Sequence, residues 1–564
     1  MWLLLCLCAL AYAQEAPRVN TTQGVVVGQR IEDGDYLAFY GLHYGGSTGG
    51  ENRFKAPTPP PVYPGEFHAI DNTILCAQPS PRGLIGKEDC LVLNIHTKNL
   101  TTPKPVMVWI EGEEYESTGR TPYNFKNLVQ QDLLVVSINY RLSIFGFLCL
   151  GVTDAPGNAG LKDIIQGLKW IKENIAGFGG DPNNVILIGH GSGAAIVDLI
   201  TLSPMSQNLT HKAIVLSGSG LAPWAISYDP IGYAEQVGRK LGYTDASRED
   251  LAKKLASTDI SLLSGVLSDF EFYNASLLFA PCVENAKLNP NDTFLSDAPI
   301  NILRSGNYTH IPYIAGFVDR EGTVRAGQAA VNNWLDKMET TFGDFIPVDL
   351  AFESEDNRTA VIRNIRQYYF AERTVNMETI EDYLEYHGDS LILVPVIRGT
   401  KERALTSNAN VWLFKFTFRG TQNSDWAYPQ IPLNGARHGA ILNYLLNYDL
   451  RTADNTASMS ITQRFRGFAY NGNPAPAFPQ TATPWDPITL QMAPILLMSG
   501  GETSNRIALY SEELLTHINR ETTEFWDPII ATHYRPPKPV SSANILLSFG
   551  LVLVTTQALL RLLV

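Results

Sequence analysis

Residues 185–195, VILIGHGSGAA, pass from an apolar run into a turn of small residues and on into the helical pattern AAIVDLITL. Two chemistries use such a turn. In dinucleotide binding, Gly189, Gly191 and Ala194 satisfy G-x-G-x-x-A and a phosphate caps the following helix. That fingerprint also wants an acidic residue at the end of the next strand to hold the ribose, and here AIVLSGSG ends in Ser and Gly. The other chemistry is the nucleophile elbow G-x-S-x-G, in which a strained strand-to-helix turn lifts a side chain above the sheet for attack on a carbonyl. Gly189 and Gly193 take the flanking places, but the apex is Gly191, which has no side chain. Ser192, one residue on, is the only hydroxyl in the turn, and a step of one residue rotates its side chain away from the apex.

The elements that must position this turn are legible around it. PVMVWI, LLVVSINYR, NVILIG, AIVLSG, PYIAGF, VWLFKFTF and PILLMSG read as strands buried on both faces. Between two of them, LKDIIQGLKWIKENIAGF places Leu161, Ile164, Ile165, Leu168, Ile171 and Ile175 at helical spacing. Such alternation predicts an α/β fold, a large and mostly parallel sheet with helices on both faces. Its binding crevice lies beyond the carboxyl ends of the strands.

The run GNAGLKDIIQGLKWIKENIAGFGGDPNNVILIGHGSGAA resembles the type-B carboxylesterase and cholinesterase family. RFKAP, EDCLVLNI, PVMVWIEG, NYRLSIFGFL and FAYNGNPAPAFP extend the resemblance from residue 53 to about 485. It implies the α/β-hydrolase fold, a disulfide between Cys76 and Cys90, and ion pairs Arg53–Glu88 and Arg141–Asp163. It also assigns the parts of a hydrolase site: Gly191 stands at the nucleophile position, Glu321 matches the orienting acid and His438 the base. The oxyanion-hole positions are Gly112, Glu113 and Ser192. Where the family carries H-G-G-G, this chain reads Glu111, Gly112, Glu113, Glu114, and two carboxylates at that turn are expected to obstruct close backbone approach and oppose a developing oxyanion. No cofactor or metal is called for, and Cys-x-x-Cys spacing is absent.

Both ends and the surface place the chain in the secretory pathway. MWLLLCLCALAYAQ reads as a signal peptide, cut after residue 13 at Ala11, Tyr12, Ala13. Residues 14–540 form the ectodomain. Residues 541–564 are a hydrophobic attachment signal, with small residues Ser541, Ser542 and Ala543 before the apolar run Ile545 to Val564, which favours a lipid anchor over a transmembrane helix. Glycosylation triplets stand at Asn20, Asn99, Asn208, Asn274, Asn291, Asn307 and Asn357. Cys149 and Cys282, in apolar surroundings, are expected to be buried small hydrophobes rather than ligands or nucleophiles, in an oxidation state the sequence leaves open. A net charge of -13 excludes nucleic acid as a partner, because phosphate binding needs a basic surface.

With no nucleophile at Gly191, the expectation is a pseudoenzyme: a glycoprotein on the extracellular face of the plasma membrane, acting in recognition or adhesion with a cell-surface or extracellular protein partner. It resembles the cholinesterase-like adhesion molecules, including neuroligin, neurotactin, gliotactin and glutactin. Two alternatives stand beside it: a residual or altered carboxylic ester hydrolase using Ser192, His438 and Glu321, and a non-hydrolysing binder of small esters or lipids. The segment 510–526, with Leu514, Leu515, Ile518 and Phe525 at roughly helical spacing, serves either a homodimer interface or packing on its own domain.

Overall fold

Strands that are apolar on both faces need cover on both sides, and the chain supplies it. The computed structural model describes residues 16–541 apart from 119–123, 422–425, 447–449, 451, 476–482, 490, 501, 504–505, 508–509 and 518. Among these residues, one sheet of eleven strands dominates. In chain order the strands are β1 (Gln29–Ile31), β2 (Tyr36–His43), β3 (Val92–Thr97), β4 (Lys104–Ile110), β5 (Leu134–Ile138), β6 (Gly180–His190), β7 (Lys212–Leu216), β8 (Tyr313–Val318), β9 (Val411–Phe416), β10 (Ile495–Ser499) and β11 (Ser511–Leu515). They lie in the order β11-β10-β9-β8-β7-β6-β4-β5-β3-β2-β1.

From β4 to β10 the strands are parallel to their neighbours, and antiparallel strands close both edges. This is the α/β-hydrolase architecture. The strand period of two divides β4 between two cores: Val106, Val108 and Ile110 enter the larger, Met107 and Trp109 the smaller on the opposite face. Helix α1 (Ala159–Asn174) turns its apolar stripe onto the larger core, with Leu161, Ile164, Ile165, Leu168 and Ile171 buried.

The expected ion pairs are formed deep in the structure. Arg53 grips Glu88 at 2.6 and 3.0 Å and donates to the carbonyls of Leu255 and Thr258; Arg141 grips Asp163 at 2.7 and 2.5 Å. Cys76 and Cys90 are joined. So are Cys149 and Cys282, 133 residues apart and both buried as expected, which settles the state the sequence left open: the fold brings together two apolar sites that sequence distance hides. The 510–526 segment also differs from its helical reading. Residues 511–515 pair with β10 as edge strand β11, and a helix begins only at Arg520, because Leu514 and Leu515 are spent on the sheet. Asn20, Asn208, Asn291, Asn307 and Asn357 are exposed, while Asn99 and Asn274 are half-buried. The signal peptide and the run Ile545 to Val564 lie outside the described residues, among which no helix is long and apolar enough to cross a membrane.

Behind the strand ends, helix Ile380–Gly388 passes into a π-helical turn, Asp389–Leu393. It packs so closely on residues 321–325 that a Cβ at Gly322 would lie 1.6 Å from the Leu384 carbonyl oxygen, so only glycine permits the approach. Asp389 is buried there, accepting from the Tyr369 hydroxyl at 2.9 Å, and burial above all pushes its carboxyl up to about 7. Burial likewise raises Asp349 to about 6 and Glu284 to about 7. Each group binds its proton more tightly folded than unfolded, so its stabilising contribution is complete at low pH and is lost as pH rises from the ordinary carboxylate range through the folded value. The part of the stability due to these three carboxyls is expected to fall between about pH 4 and pH 7, while buried histidines such as His96, which burial lowers to about 4, contribute in the opposite sense. Thermal unfolding across that range tests this for Asp389: the unfolding temperature of Asp389→Asn relative to the parent should rise from about pH 4 to pH 7.

Candidate active site

The loops that leave the carboxyl ends of β4, β6 and β8, with the segment before helix Ala440–Leu446, enclose a cavity of about 380 Å³. Glu321 opens the turn after β8 and is 2% exposed. Its Oε1 accepts from the Val318 N–H at 2.9 Å, and its Oε2 lies 2.6 Å from His438 Nδ1. His438 is fixed a second time by its own N–H, which donates to the Thr323 hydroxyl at 2.8 Å. The two loops are also tied through their backbones, Arg320 N–H to the Ala436 carbonyl, and Asp319 takes the Ala436 N–H at 2.8 Å. With Nδ1 held by a carboxylate, Nε2 is the nitrogen left to act as a base.

Gly191 sits at the head of helix α2 (Ser192–Leu202) with φ 57° and ψ -122°, a left-handed backbone that glycine adopts without strain. A Cβ built there would meet nothing closer than 3.8 Å, the Gly112 carbonyl and His438 Nε2. The base is therefore aimed at the apex of the elbow, although the apex carries no hydroxyl. Ser192 is 3% exposed, and its Oγ accepts from the Tyr115 N–H at 3.2 Å. Its hydroxyl thus braces the neighbouring turn, 2.8 Å from where a Gly112 Cβ would stand.

That turn, 111–117, departs from the simple picture of obstruction. Glu114 is drawn aside into an ion pair with Arg325 at 2.7 Å, and the side chain of Glu113 is exposed. The Glu113 N–H donates to the Ser117 carbonyl at 2.9 Å. Among the described residues, the N–H groups of Gly112, Glu114 and Ser192 donate to no backbone carbonyl. All three residues line the cavity, so their N–H groups are the candidates to meet a developing oxyanion there.

Further residues escape the sequence reading. His190 packs against His438 with ring centroids 4.6 Å apart and the planes tilted by 49°, and burial followed by the neighbouring imidazole pulls its pKa well below the ordinary histidine value. The G-x-G context marked its position but not its contact. Burial and Glu114 push Glu116 up to about 7. Tyr115 is fully buried and donates through its hydroxyl to the Ala225 carbonyl at 3.2 Å. Among the described residues no cluster of His, Cys, Asp or Glu could hold a metal ion.

The sheet and the elbow are those of an α/β-hydrolase, and a carboxylate-held imidazole faces the apex of the elbow. The chain belongs to the carboxylesterase family, whose profile matches residues 15–526. Venom carboxylesterase-6 of Apis mellifera is 30% identical over 428 residues, 72% of this chain and 76% of that protein. The juvenile hormone esterase of Tribolium castaneum is 28% identical over 510 residues, covering 83% and 85%. The crystal structure of the Manduca sexta juvenile hormone esterase, with OTFP covalently attached, superposes with TM-score 0.81 at 26% identity, covering 92% of this chain and all of that one.

These relatives overturn the expectation that the chain is not an enzyme. They are named esterases, and the solved one carries a covalently attached OTFP. That expectation took the missing hydroxyl at Gly191 and the two carboxylates of the 111–117 turn for the loss of the site, whereas the acid and the base stand together and Glu114 is turned onto Arg325. The adhesion branch finds no support in the comparisons.

Because the space at the apex is open and faces the base, Gly191→Ser should fold at a cost of about 1–3 kcal/mol for its positive φ. It should hydrolyse p-nitrophenyl esters about a hundredfold or more faster than the parent and take a covalent organophosphate label. A folded variant that gains neither would show that His438 is not placed to act on the apex.

Proposed function

We propose that this chain is a carboxylic ester hydrolase of altered mechanism, in which water replaces the side-chain nucleophile. The observation that carries the reading is the buried Glu321–His438 pair at 2.6 Å with Nε2 3.8 Å from the Cβ position of Gly191. A water near that point reaches the imidazole and the Gly112 carbonyl at once. His438 Nε2 takes a proton from the water, the hydroxide adds to the ester carbonyl carbon, and the oxyanion is met by N–H groups among Gly112, Glu114 and Ser192. Collapse breaks the bond to the alcohol oxygen, which takes the proton back from His438, so acid and alcohol leave and the enzyme is restored. Glu321 holds the ring in the correct tautomer and stabilises the imidazolium.

The apolar cavity wall, with Trp224, Leu391, Ile392 and Leu442, fits the hydrocarbon part of a small ester. Two disulfides and the secretory leader support action in an oxidising, extracellular setting, where attachment through the apolar tail would hold the enzyme at a membrane surface.

General base action contributes about 10²–10⁴-fold, and each oxyanion donor about 10²–10³-fold, so the expected turnover is well below that of a serine esterase yet measurable. Purified protein assayed on p-nitrophenyl butyrate should lose about a hundredfold or more on His438→Ala. Ser192→Ala should retain turnover within about tenfold, since the serine hydroxyl braces Tyr115. Turnover that survives His438→Ala, or binding of the ester with no hydrolysis at all, would overturn the reading.

A further inference from the structure

Two consecutive non-glycine residues of the 111–117 turn, Glu114 (φ 51°) and Tyr115 (φ 61°), occupy the left-handed region. Such residues cost energy and persist only where their surroundings fix them. Tyr115 is fixed from four sides. Its ring is fully buried, its N–H reaches Ser192 Oγ, its carbonyl accepts from the Ser143 N–H at 2.7 Å, and its hydroxyl reaches the Ala225 carbonyl. Glu114 is fixed differently. It is held through its side chain, which pairs with Arg325.

Arg325 is built for that task. Its side chain is 10% exposed, its guanidinium lies 5.7 Å from the centroid of the Trp334 ring, and it lines the same cavity. It closes the five-residue turn Glu321–Arg325 whose first residue is the acid that holds His438. One rigid turn, packed against helix Ile380–Gly388 through Gly322, therefore holds the base at one end and the donor-bearing turn at the other.

We propose that Arg325 is a positioning residue for ester hydrolysis: through Glu114 it sets the 111–117 turn so that its unassigned N–H donors register with the carbonyl attacked at the apex. This rests on the reading of the chain as an ester hydrolase. A misplacement of about 1 Å in such a group costs on the order of a hundredfold in rate, whereas uniform loosening of a pocket weakens ground state and transition state alike.

The test pairs two ligands with three variants. A trifluoromethyl ketone, which hydrates or adds a nucleophile to give a tetrahedral oxyanion mimic, is compared with the isosteric methyl ketone, which stays a ground-state mimic. Arg325→Met and Glu114→Gln are each expected to weaken trifluoromethyl ketone binding and lower kcat by about tenfold to a hundredfold, leaving KM and methyl ketone binding within about twofold. The charge swap Glu114→Arg with Arg325→Glu should recover at least part of the loss. Glu114 is half-exposed, so Glu114→Gln keeps the test available should Arg325→Met fail to fold. Equal weakening of both ketones, or no change in either, would overturn the proposal. Binding of the ketones is measured whether or not the parent turns over ester, so absent turnover would count against hydrolysis alone.

Discussion

A single hydrogen bond, from His438 Nδ1 to a buried Glu321 carboxylate, organises the chemistry of this chain, and much of the surrounding structure exists to keep it. Glu321 has its second oxygen on the Val318 N–H, so the acid is anchored to the end of β8 in the central sheet. His438 is held by Thr323, two residues from that acid, and by a neighbouring imidazole. A carboxylate 2% exposed would be costly to keep without these partners, and with them it fixes one tautomer of the ring.

The parallel strands do the long-range positioning. β4 and β6 are neighbours in the sheet and β8 lies one strand further on, beyond β7, and their following loops deliver the donor turn, the elbow and the acid to one cavity. That convergence is a property of the α/β-hydrolase topology, and the chain shares it with the juvenile hormone esterase of Manduca sexta over 92% of its length. What is particular to this chain is local. Glycine stands at the apex, and an acidic turn whose charge is answered by Arg325 stands where a run of glycines would allow close approach.

Much of this was legible in the sequence, for a physical reason. Strands buried on both faces must be apolar throughout, so all seven parallel strands announced themselves as short hydrophobic runs, and α1 showed its stripe. Half-buried edge strands carry no such signature: β11, SEELL, read as part of a helix because its pairing partner is invisible from the sequence. The positions of Glu321, His438 and Gly191 came from motif context, but the sequence could not show how the Glu113 and Glu114 side chains are disposed. A carboxylate near an oxyanion site reads as repulsion until Arg325, 211 residues away, is seen to take it. The Cys149–Cys282 bond was hidden for the same reason, since contact at long sequence separation leaves no local pattern.

The central claim is that water, activated by His438, attacks the ester without an acyl-enzyme. Intact mass spectrometry of the protein during steady turnover of a slowly hydrolysed ester addresses it most directly. The account predicts product accumulating while the protein mass stays unchanged. A protein heavier by the mass of the acyl group, on Ser192 or any other residue, and discharged as product forms, would contradict it.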